Sequence, residues 1–413
     1  MQKGEKGAAT TEPRGKVKKA ARKGKKSEKM RNGFKVWDTD THLHPSVETL
    51  EQYLDASMKA RLPELERFKV PGRTGGEFTP RDVAGRHQYR FPGQIAFRRI
   101  LGHAEPPAVP VNNYGKFMGA VFPAAGTADD QIDTRISEMD REGVDVQLLV
   151  PAVPILEDDP EMEAGFIRAY NRFINDLCTK YPKRLKSLMV VSGTNIEVSQ
   201  AEIRKWGRSR WAVGIWPSSG IQKPLDHPDL ESIWAACADE GLCVTHHSFT
   251  WTPPYFPGYR DMWDNLFLSR SAAHPWGGMR AMGSFIGSGI MDRYPSIRFG
   301  ILECGCGWLP FWTRRLEDQA HYVGTTAPLK HKIGEYVTSG RFFASLEMYE
   351  GEDMIKMVTD FLGDGILMYA SDYPHPECRF PDSVDHFLGW ESLTGDQKRK
   401  MLWENPVRFY GEP

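Results

Sequence analysis

Short apolar segments alternate with helical segments from Phe34 to the end of the chain, and this alternation limits the possible folds most strongly. Eight runs have the length and composition of strands: Phe34–Asp38, Val144–Val150, Leu185–Val191, Ala212–Trp216, Leu242–Thr245, Ile297–Leu302, Arg341–Leu346 and Ile366–Ala370. Helical periodicity lies between several of them, at Asp129–Glu142, Pro160–Lys180, Asp229–Glu240 and Met279–Tyr294. Short strands alternating with helices indicate parallel βα units, and eight such units predict a closed (β/α)₈ TIM barrel of the α/β class.

A doubly wound open sheet is the alternative fold. Such sheets that bind dinucleotides carry a GxGxxG motif between a strand and the helix that follows it. No such motif follows a strand-like run here, so the barrel is favoured.

The chain of 413 residues is long enough for one barrel domain. We expect this domain at residues 34–413, after a disordered basic tail at residues 1–33. Residues 48–128 are rich in Pro and Gly and separate the first two strands. They exceed an ordinary loop, so we predict an insertion over the barrel mouth or at an interface. A second interruption is the aromatic segment Trp251–Trp263, which follows the fifth strand. It can form a lid or substrate wall, a hydrophobic plug or a subunit contact.

The charge of the chain is divided unevenly. Residues 1–35 contain 13 Lys or Arg and 3 Asp or Glu, which leaves an acidic body. The tail has too few large apolar residues to fold by itself. It can be a solvated extension, an arm for nucleic acid or an acidic partner, or an arm that docks on a neighbouring subunit. We consider nucleic-acid binding unlikely and expect a homo- or hetero-oligomer.

The six cysteines form no CxxC pair and no dense framework. They are typical of reduced thiols in a cytoplasmic protein. No apolar run reaches the length of a membrane span, and the charged N-terminus lacks the apolar core of a secretory signal. We therefore predict a cytoplasmic protein without a membrane partner.

Histidine and acidic residues follow or end four of the predicted strands. The strands of a parallel barrel converge at their C-terminal ends, so residues distant in sequence meet there. The residues concerned are His42, His44, His246, His247, Glu303 and Asp372. Together they predict a metal site, because imidazole and carboxylate ligands suit Zn²⁺, Mn²⁺ or Fe²⁺.

His42 and His44 are two residues apart, so on an extended segment their side chains share a face. Asp38 and Asp40 precede them and can orient a ligand histidine by accepting its N–H. His246 and His247 are adjacent, so only one of the two can point into the barrel, and the strand pattern does not decide which.

Asp372 closes the last predicted strand. It can bind metal and accept a proton from metal-bound water, or it can cap a turn. His274, His375 and Glu377, together with Glu303, can provide a second metal site or a substrate site. His274 can instead cap or pack a helix. Arginines at positions 260, 270 and 280 are candidates for binding a substrate carboxylate.

Four segments of the sequence resemble the amidohydrolase-related family of metal-dependent TIM-barrel enzymes. The similarity is to the branch that contains aminocarboxymuconate-semialdehyde decarboxylase and resorcylate-type decarboxylases. The segments are Asp40–Pro45 (DTHLHP), Gly241–His247 (GLCVTHH), Arg293–Asp318 and Ala370–His375 (ASDYPH). The resemblance covers the chain from about Phe34 to Pro413.

The resemblance implies four metal ligands: His42, His44, His247 and Asp372. It also shows one departure, because many relatives have histidine at the end of strand 6, where this chain has Glu303. A branch of the family carries glutamate there. Since that histidine helps to protonate or position the substrate in the decarboxylases, Glu303 can instead act as a general base or hold a second metal. The resemblance thus implies catalytic roles for Asp372 and Glu303.

Three functions follow as hypotheses. The first is a metal-dependent hydrolase or decarboxylase (a carboxy-lyase) acting on a small carboxylated substrate. The second is an oxygenase with a dinuclear Fe or Mn/Fe centre, since the family resemblance includes a few such enzymes. The third is a catalytically silent partner subunit of a hetero-oligomer, in which Glu303 marks the loss of the ordinary chemistry.

Overall fold

The computed structural model describes residues 31, 33–71, 86–89, 100–103, 118–119, 121, 132–151, 159–217, 223–247, 265–375 and 377–413. Nearly all of the basic tail, most of the 48–128 insertion, the Trp251–Trp263 segment and Arg260 lie outside these ranges. The predictions made for those parts therefore stay predictions.

Eight parallel strands form a closed barrel, which confirms the predicted fold. They are β1 (Trp37–Leu43), β4 (Val146–Pro151), β5 (Leu185–Val191), β6 (Ala212–Pro217), β7 (Cys243–His247), β8 (Phe299–Leu302), β9 (Phe342–Leu346) and β10 (Leu367–Tyr369). Each strand pairs with the next in this order, and a parallel bridge between Thr41 of β1 and Tyr373, in the segment that follows β10, closes the ring. The amide of His42 donates to the carbonyl of Tyr373 at 2.7 Å across this seam.

The first strand begins and ends later than its apolar pattern predicts. The prediction was Phe34–Asp38, whereas β1 runs from Trp37 to Leu43 with all of its residues buried. The apolar pattern ends early because the inward face of this strand is polar. Buried polar residues of this kind leave no hydrophobic signal in the sequence.

Helices follow most of the barrel strands. In chain order they are α1 (Val47–Gln52), α2 (Ala56–Ala60), α3 (Leu62–Leu65), α4 (Ile132–Glu142), α5 (Pro160–Cys178), α6 (Ile196–Trp206), α7 (Glu231–Glu240), α8 (Leu266–Gly287), α9 (Ile290–Arg293), α10 (Leu309–Val323), α11 (Ile333–Thr338), α12 (Gly351–Leu362), α13 (Ser383–Leu388), α14 (Gly395–Arg399) and α15 (Asn405–Tyr410). The predicted Met279–Tyr294 helix is in fact the end of the long α8 followed by the short α9. Asn265 starts α8, since its side chain accepts the amide of Leu268 at 2.9 Å.

The described part of the insertion contains α1–α3 and a small antiparallel ribbon. The ribbon pairs β2 (Lys69–Pro71) with β3 (His87–Tyr89). Tyr89 packs its ring against Phe166 of α5 at 5.4 Å, so this part of the insertion is attached to the outside of the barrel.

The barrel interior contains a compact apolar group around the C-terminal helix, called here the α15 cluster. Its members are Trp37, Val146, Leu148, Val150, Leu188, Cys243, Leu302, Phe343, Met368, Phe409 and Tyr410. Phe409 lies so close to β8 that a Cβ added at Gly300 would be 2.4 Å from its ring. Glycine at position 300 therefore makes room for the aromatic ring of α15.

All six cysteines are buried free thiols, and Cys304 and Cys306 belong to the hydrophobic core, as expected for small core residues. In the part of the chain that the structure describes, no helix has both the length and the apolarity needed to cross a membrane.

Candidate metal centre

The predicted site residues meet at the C-terminal ends of four barrel strands. Asp40 and His42 lie in β1, His247 ends β7, Glu303 directly follows β8, and Asp372 follows β10. All five are buried, with exposed fractions from 0 to 7%. A buried group of acids and imidazoles is costly unless charges compensate each other or a cation is bound.

The two inward ligand candidates of β1 are Asp40 and His42. They are two residues apart in the strand and therefore share a face. Oδ1 of Asp40 lies 3.3 Å from Nε2 of His42 and 3.3 Å from Nε2 of His247. Its Oδ2 is buried and has no hydrogen-bond partner among the described residues. Asp40 thus contacts both imidazoles, as an orienting residue would, and also offers a carboxylate oxygen to a cation.

His44 lies one residue beyond the end of β1 and is exposed. Its ring is 6.2 Å from that of His42 and 6.1 Å from that of His375. It therefore belongs to the outer rim of the site. Its predicted role as a metal ligand stays a prediction, and Asp40 lies closer to the centre than the sequence pattern predicts.

His247 is the buried member of the adjacent histidine pair. Its Nε2 lies 3.1 Å from Oε2 of Glu303, and the ring of Trp216 packs edge-on against it at 5.5 Å. Alternation along β7 puts His246 on the opposite face of the strand. His247 is therefore the member of the pair that lies among the inward donors, and its role as a metal ligand stays a prediction.

Glu303 and Asp372 have a left-handed backbone, with φ angles of 50° and 59°. Among the described residues they are the two non-glycine positions with positive φ. This conformation is unfavourable for a residue with a Cβ and concentrates at functional sites. Surrounding polar contacts hold it: the Glu303 amide donates to Oγ of Ser345 at 3.0 Å, and the Asp372 amide donates to the carbonyl of Asp40 at 3.1 Å.

Asp372 connects the inner and outer parts of the site. Its Oδ1 lies 2.9 Å from Nε2 of His42 and 2.7 Å from Nδ1 of His375. Burial alone would raise the pKa of Asp372, but the two histidines hold it well below its usual value. The carboxylate is therefore ionised and suited to binding a cation.

Four further residues surround the outer part. The rings of His375 and His42 stack at 4.1 Å. Glu377 pairs with Arg270. His274, on α8, approaches the carbonyl of Glu303 through Nδ1 at 2.9 Å and is 5% exposed. The residues predicted for a second metal or substrate site, His274, Glu303, His375 and Glu377, thus lie beside the first group.

Ligand atoms that lie within 4.8 Å of one another define three overlapping groups. The groups are Asp40, His42, His247 and Glu303; Glu303, Asp372, His375 and Glu377; and His42, His44 and His375. Nitrogen and carboxylate donors in such groups fit Zn²⁺, Mn²⁺ or Fe²⁺. The expectation that the cofactor is a divalent metal ion is therefore confirmed, without a choice among the three metals.

A buried polar network supports the site from behind β1. Arg135 of α4 donates to the carbonyl of His42 and, at 2.8 Å, to Oε1 of Gln147. Asp38 accepts the amide of Ser371 at 2.9 Å, beside Asp372. Burial raises the pKa of Asp38 to about 7, although its hydrogen bonds with Ser371 act to lower it. The sequence pattern does not single out Arg135, since an arginine in a helix normally indicates an exposed face.

A family model described as Amidohydrolase matches residues 39–411. The chain is 24% identical over 285 residues to 2-amino-3-carboxymuconate-6-semialdehyde decarboxylase of Dictyostelium discoideum, covering 68% of this chain and 76% of that protein.

Two solved structures with the same fold are also decarboxylases. One is 5-carboxyvanillate decarboxylase of Novosphingobium aromaticivorans, bound to manganese and 4-hydroxy-3-methoxy-5-nitrobenzoic acid. It is 19% identical with a TM-score of 0.65, over 92% of this chain and 96% of that one. The other is 2,6-dihydroxybenzoate decarboxylase of Rhizobium, 18% identical with a TM-score of 0.55, over 67% and 87% of the two chains.

Proposed function

The chain belongs to the amidohydrolase family, and from this premise we propose that it is a metal-dependent carboxy-lyase that releases CO₂ from a small carboxylated substrate. One observation carries the proposal: a buried set of histidine and acidic donors converges at the C-terminal ends of the barrel strands. The similarity to three decarboxylases supports this reaction over others of the family.

The residues that would hold the metal are Asp40, His42, His247 and Asp372, with Glu303 beside them. A divalent cation bound there supplies electrostatic stabilisation of the negative charge that develops on the substrate as CO₂ leaves. His44, which the family pattern also makes a ligand, would contribute from the rim.

The chain's own residues would orient the substrate and protonate it. Asp372 is held between His42 and His375 at distances of 2.9 and 2.7 Å, so its carboxylate can exchange a proton with a neighbouring imidazole. Glu303 lies 3.1 Å from His247 at the position where many relatives carry histidine. We assign proton transfer during turnover to these two carboxylates.

The substrate class follows from the charges at the mouth. Arg270 is the cationic side chain paired with Glu377 there, and it can instead bind a substrate carboxylate in a bidentate manner. Buried carboxylates around the centre repel an anion unless a cation is bound, so metal binding and substrate binding are expected to be coupled.

Hydrolysis is the second candidate, and Glu303 is the observation that favours it. A carboxylate in place of the histidine suits a general base for water better than a proton donor to carbon. Neither an oxygenase nor a silent partner subunit gains support from a described residue or from a relative named above. The choice among manganese, zinc and iron, a cytoplasmic location and an oligomeric state remain parts of the proposal.

The test is an assay of metal-free protein reloaded with Mn²⁺ or Zn²⁺. It is incubated with 5-carboxyvanillate, 2,6-dihydroxybenzoate and an ester of each acid, while CO₂ release and ester cleavage are followed separately. We expect CO₂ release that depends on added metal and is lost in Asp372→Asn. Ester cleavage without CO₂ release from any acid would replace decarboxylation by hydrolysis.

A further inference from the structure

We propose that a cavity among the outer helices is a second small-molecule site, which binds an aromatic carboxylate and thereby alters metal affinity at the centre described above. The cavity has a volume of about 380 Å³ and lies between α1, the start of α4 and the end of α5. No member of the three donor groups is among the described residues that line it. Binding in this cavity does not depend on which reaction the chain catalyses, whereas the effect on metal affinity rests on the proposed metal centre.

Aromatic and aliphatic side chains form one wall of the cavity. Ile132, Phe173 and Leu177 are buried there. The ring of the half-buried Tyr53 meets that of Phe173 edge-on, with the ring centroids 5.6 Å apart. Because aromatic rings pack favourably in edge-on and offset arrangements, this wall can take a further ring from a ligand.

On the polar side of the cavity, the acidic side chains have partners within the chain. His87 approaches one oxygen of Glu48 through Nδ1 at 2.6 Å and donates its amide to the other at 3.1 Å. Asp176 is hydrogen-bonded to the hydroxyl of Tyr53. Lys180 forms no ion pair with a carboxylate of the described residues. A carboxylate on a ligand would give this ammonium group a charged partner.

The two sides of the cavity together indicate the class of ligand. Lys180 and Arg86 bring positive charge to the polar side, while Phe173 and Tyr53 provide the aromatic wall. Apolar walls with a few polar groups that fix orientation are typical of small-molecule sites, whose volumes start at about 300 Å³. A substituted benzoate combines the required ring and negative charge. The competing ligand is an aromatic amine, which would pair with Asp176 instead.

Two helices that line the cavity also reach the metal centre. The helix α1 begins four residues after β1 ends, and β1 carries Asp40 and His42. In α4, Ile132 lies one turn before Arg135, which donates to the carbonyl of His42. A ligand that contacts both helices favours the arrangement in which Arg135 holds His42. We therefore expect an occupied cavity to increase metal affinity.

The first experiment measures binding by metal-free full-length protein, in which the buried carboxylates of the metal centre repel an anion. Benzoate, benzamide and benzylamine share one ring and differ in charge, and each is titrated by isothermal titration calorimetry. We expect benzoate to bind most tightly and benzylamine most weakly. Lys180→Gln should weaken benzoate binding by about 3–10-fold and leave benzamide binding unchanged. Lys183→Gln, at an exposed lysine that does not line the cavity, is the matched control.

The aromatic wall is tested by Phe173→Leu, which should weaken benzoate and benzamide binding alike by about 2–10-fold. Should this variant fail to fold, Tyr53→Leu at the half-buried ring takes its place. The absence of benzoate binding would overturn the inference, and so would equal benzoate binding by the wild type and Lys180→Gln. Tighter binding of benzylamine than of benzoate would overturn the assigned ligand class.

The second experiment measures Mn²⁺ affinity by competition with a chromogenic chelator, with and without benzoate. We expect benzoate to increase the affinity of the wild type by about 5-fold or more, and by less in Lys180→Gln at the same benzoate concentration. An unchanged Mn²⁺ affinity would overturn the coupling and leave the proposed carboxy-lyase function intact. A chain that binds benzoate but no metal would instead refute the proposed function and the coupling together.

Discussion

The two ends of the barrel interior are built on opposite principles. At one end the α15 cluster fills the space with aromatic and aliphatic side chains, and Phe409 occupies the gap left by Gly300. At the other end five buried histidine and acidic residues face one another, two of them with a left-handed backbone. Apolar burial at the first end stabilises the folded chain. The charged pocket at the second end destabilises it and is suited to binding a cation.

The largest effect is expected at the polar end, on activity. His42→Ala and Asp372→Asn each remove a residue that is proposed to hold the metal. Changing a residue that only orients a ligand typically weakens metal binding or activity by about 10–100-fold, so removing a ligand should reduce turnover by more than about 100-fold. The check is the rate with saturating metal, together with metal content.

Thermal unfolding distinguishes this loss of activity from a folding defect. Because His42 lies 3.3 Å from Asp40 and 2.9 Å from Asp372, its loss leaves these buried carboxylates with one partner fewer. Metal-free His42→Ala should therefore unfold at a lower temperature than the metal-free wild type, but still in one cooperative transition above the temperature of the assay. Activity retained in both variants would refute the assignment of the site.

At the apolar end, Phe409→Ala should act on stability instead. Loss of a buried phenylalanine costs about 3–5 kcal/mol in the free energy of unfolding, measured by urea denaturation. Metal stoichiometry should not change, because no member of the α15 cluster belongs to a donor group. A loss of metal in this variant would show that the two ends do not act independently.

Gly300→Ala makes this prediction sharper. The added Cβ would lie 2.4 Å from the Phe409 ring. The substitution alone should therefore lower the free energy of unfolding by about 1–3 kcal/mol. In the Phe409→Ala background the space is open and most of that cost should disappear. Additive effects of the two substitutions would contradict direct packing.

A substitution in the polar network behind β1 is expected to have an intermediate effect. In Arg135→Lys the cation is kept, but the planar group that contacts both His42 and Gln147 is lost. Because the carbonyl of His42 is then less firmly held, metal affinity should fall by about 10–100-fold. Competition with a chromogenic chelator measures this metal affinity. Arg168→Lys, at the surface ion pair with Asp55, is the matched control and should leave affinity unchanged.

The same contrast explains what the sequence could predict. The eight strands were recognised because seven of them are apolar runs, as in β4, where every residue is buried. The exception is β1, which was predicted to end at Asp38 but continues to Leu43. Its inner face carries Asp40 and His42, and Asp38 lies in the buried polar network behind the strand. These polar residues read as a loop when only hydrophobicity is considered.

This displacement also explains why Asp40 was underestimated. With the strand ending at Asp38, His42 and His44 form the natural pair, and Asp40 is left to orient them. With the observed strand, Asp40 and His42 face inward and His44 is on the rim. The contacts of Arg135 and the φ angles of Glu303 and Asp372 depend on tertiary packing, so no local pattern predicts them.

The smallest effect concerns pH and Glu142, which lies in the polar support on α4. Burial raises its pKa to about 8, and the nearby Asp38 adds to the shift. Between pH 4.5 and 8 the folded chain therefore keeps a proton that the unfolded chain has released. The folded state binds more protons in this window, so this residue makes stability fall as the pH rises, by at most about 1.4 kcal/mol per pH unit.

Glu142→Gln should remove this contribution, because the amide is uncharged at every pH. We expect the difference in unfolding free energy between the variant and the wild type to move in favour of the variant from pH 5 to pH 8. Glu197→Gln, an exposed glutamate of α6, should show a constant difference. Parallel curves for Glu142→Gln and the wild type would mean that Glu142 is ionised in the folded chain. The polar support behind β1 would then hold one more buried negative charge, which would widen the contrast with the apolar end.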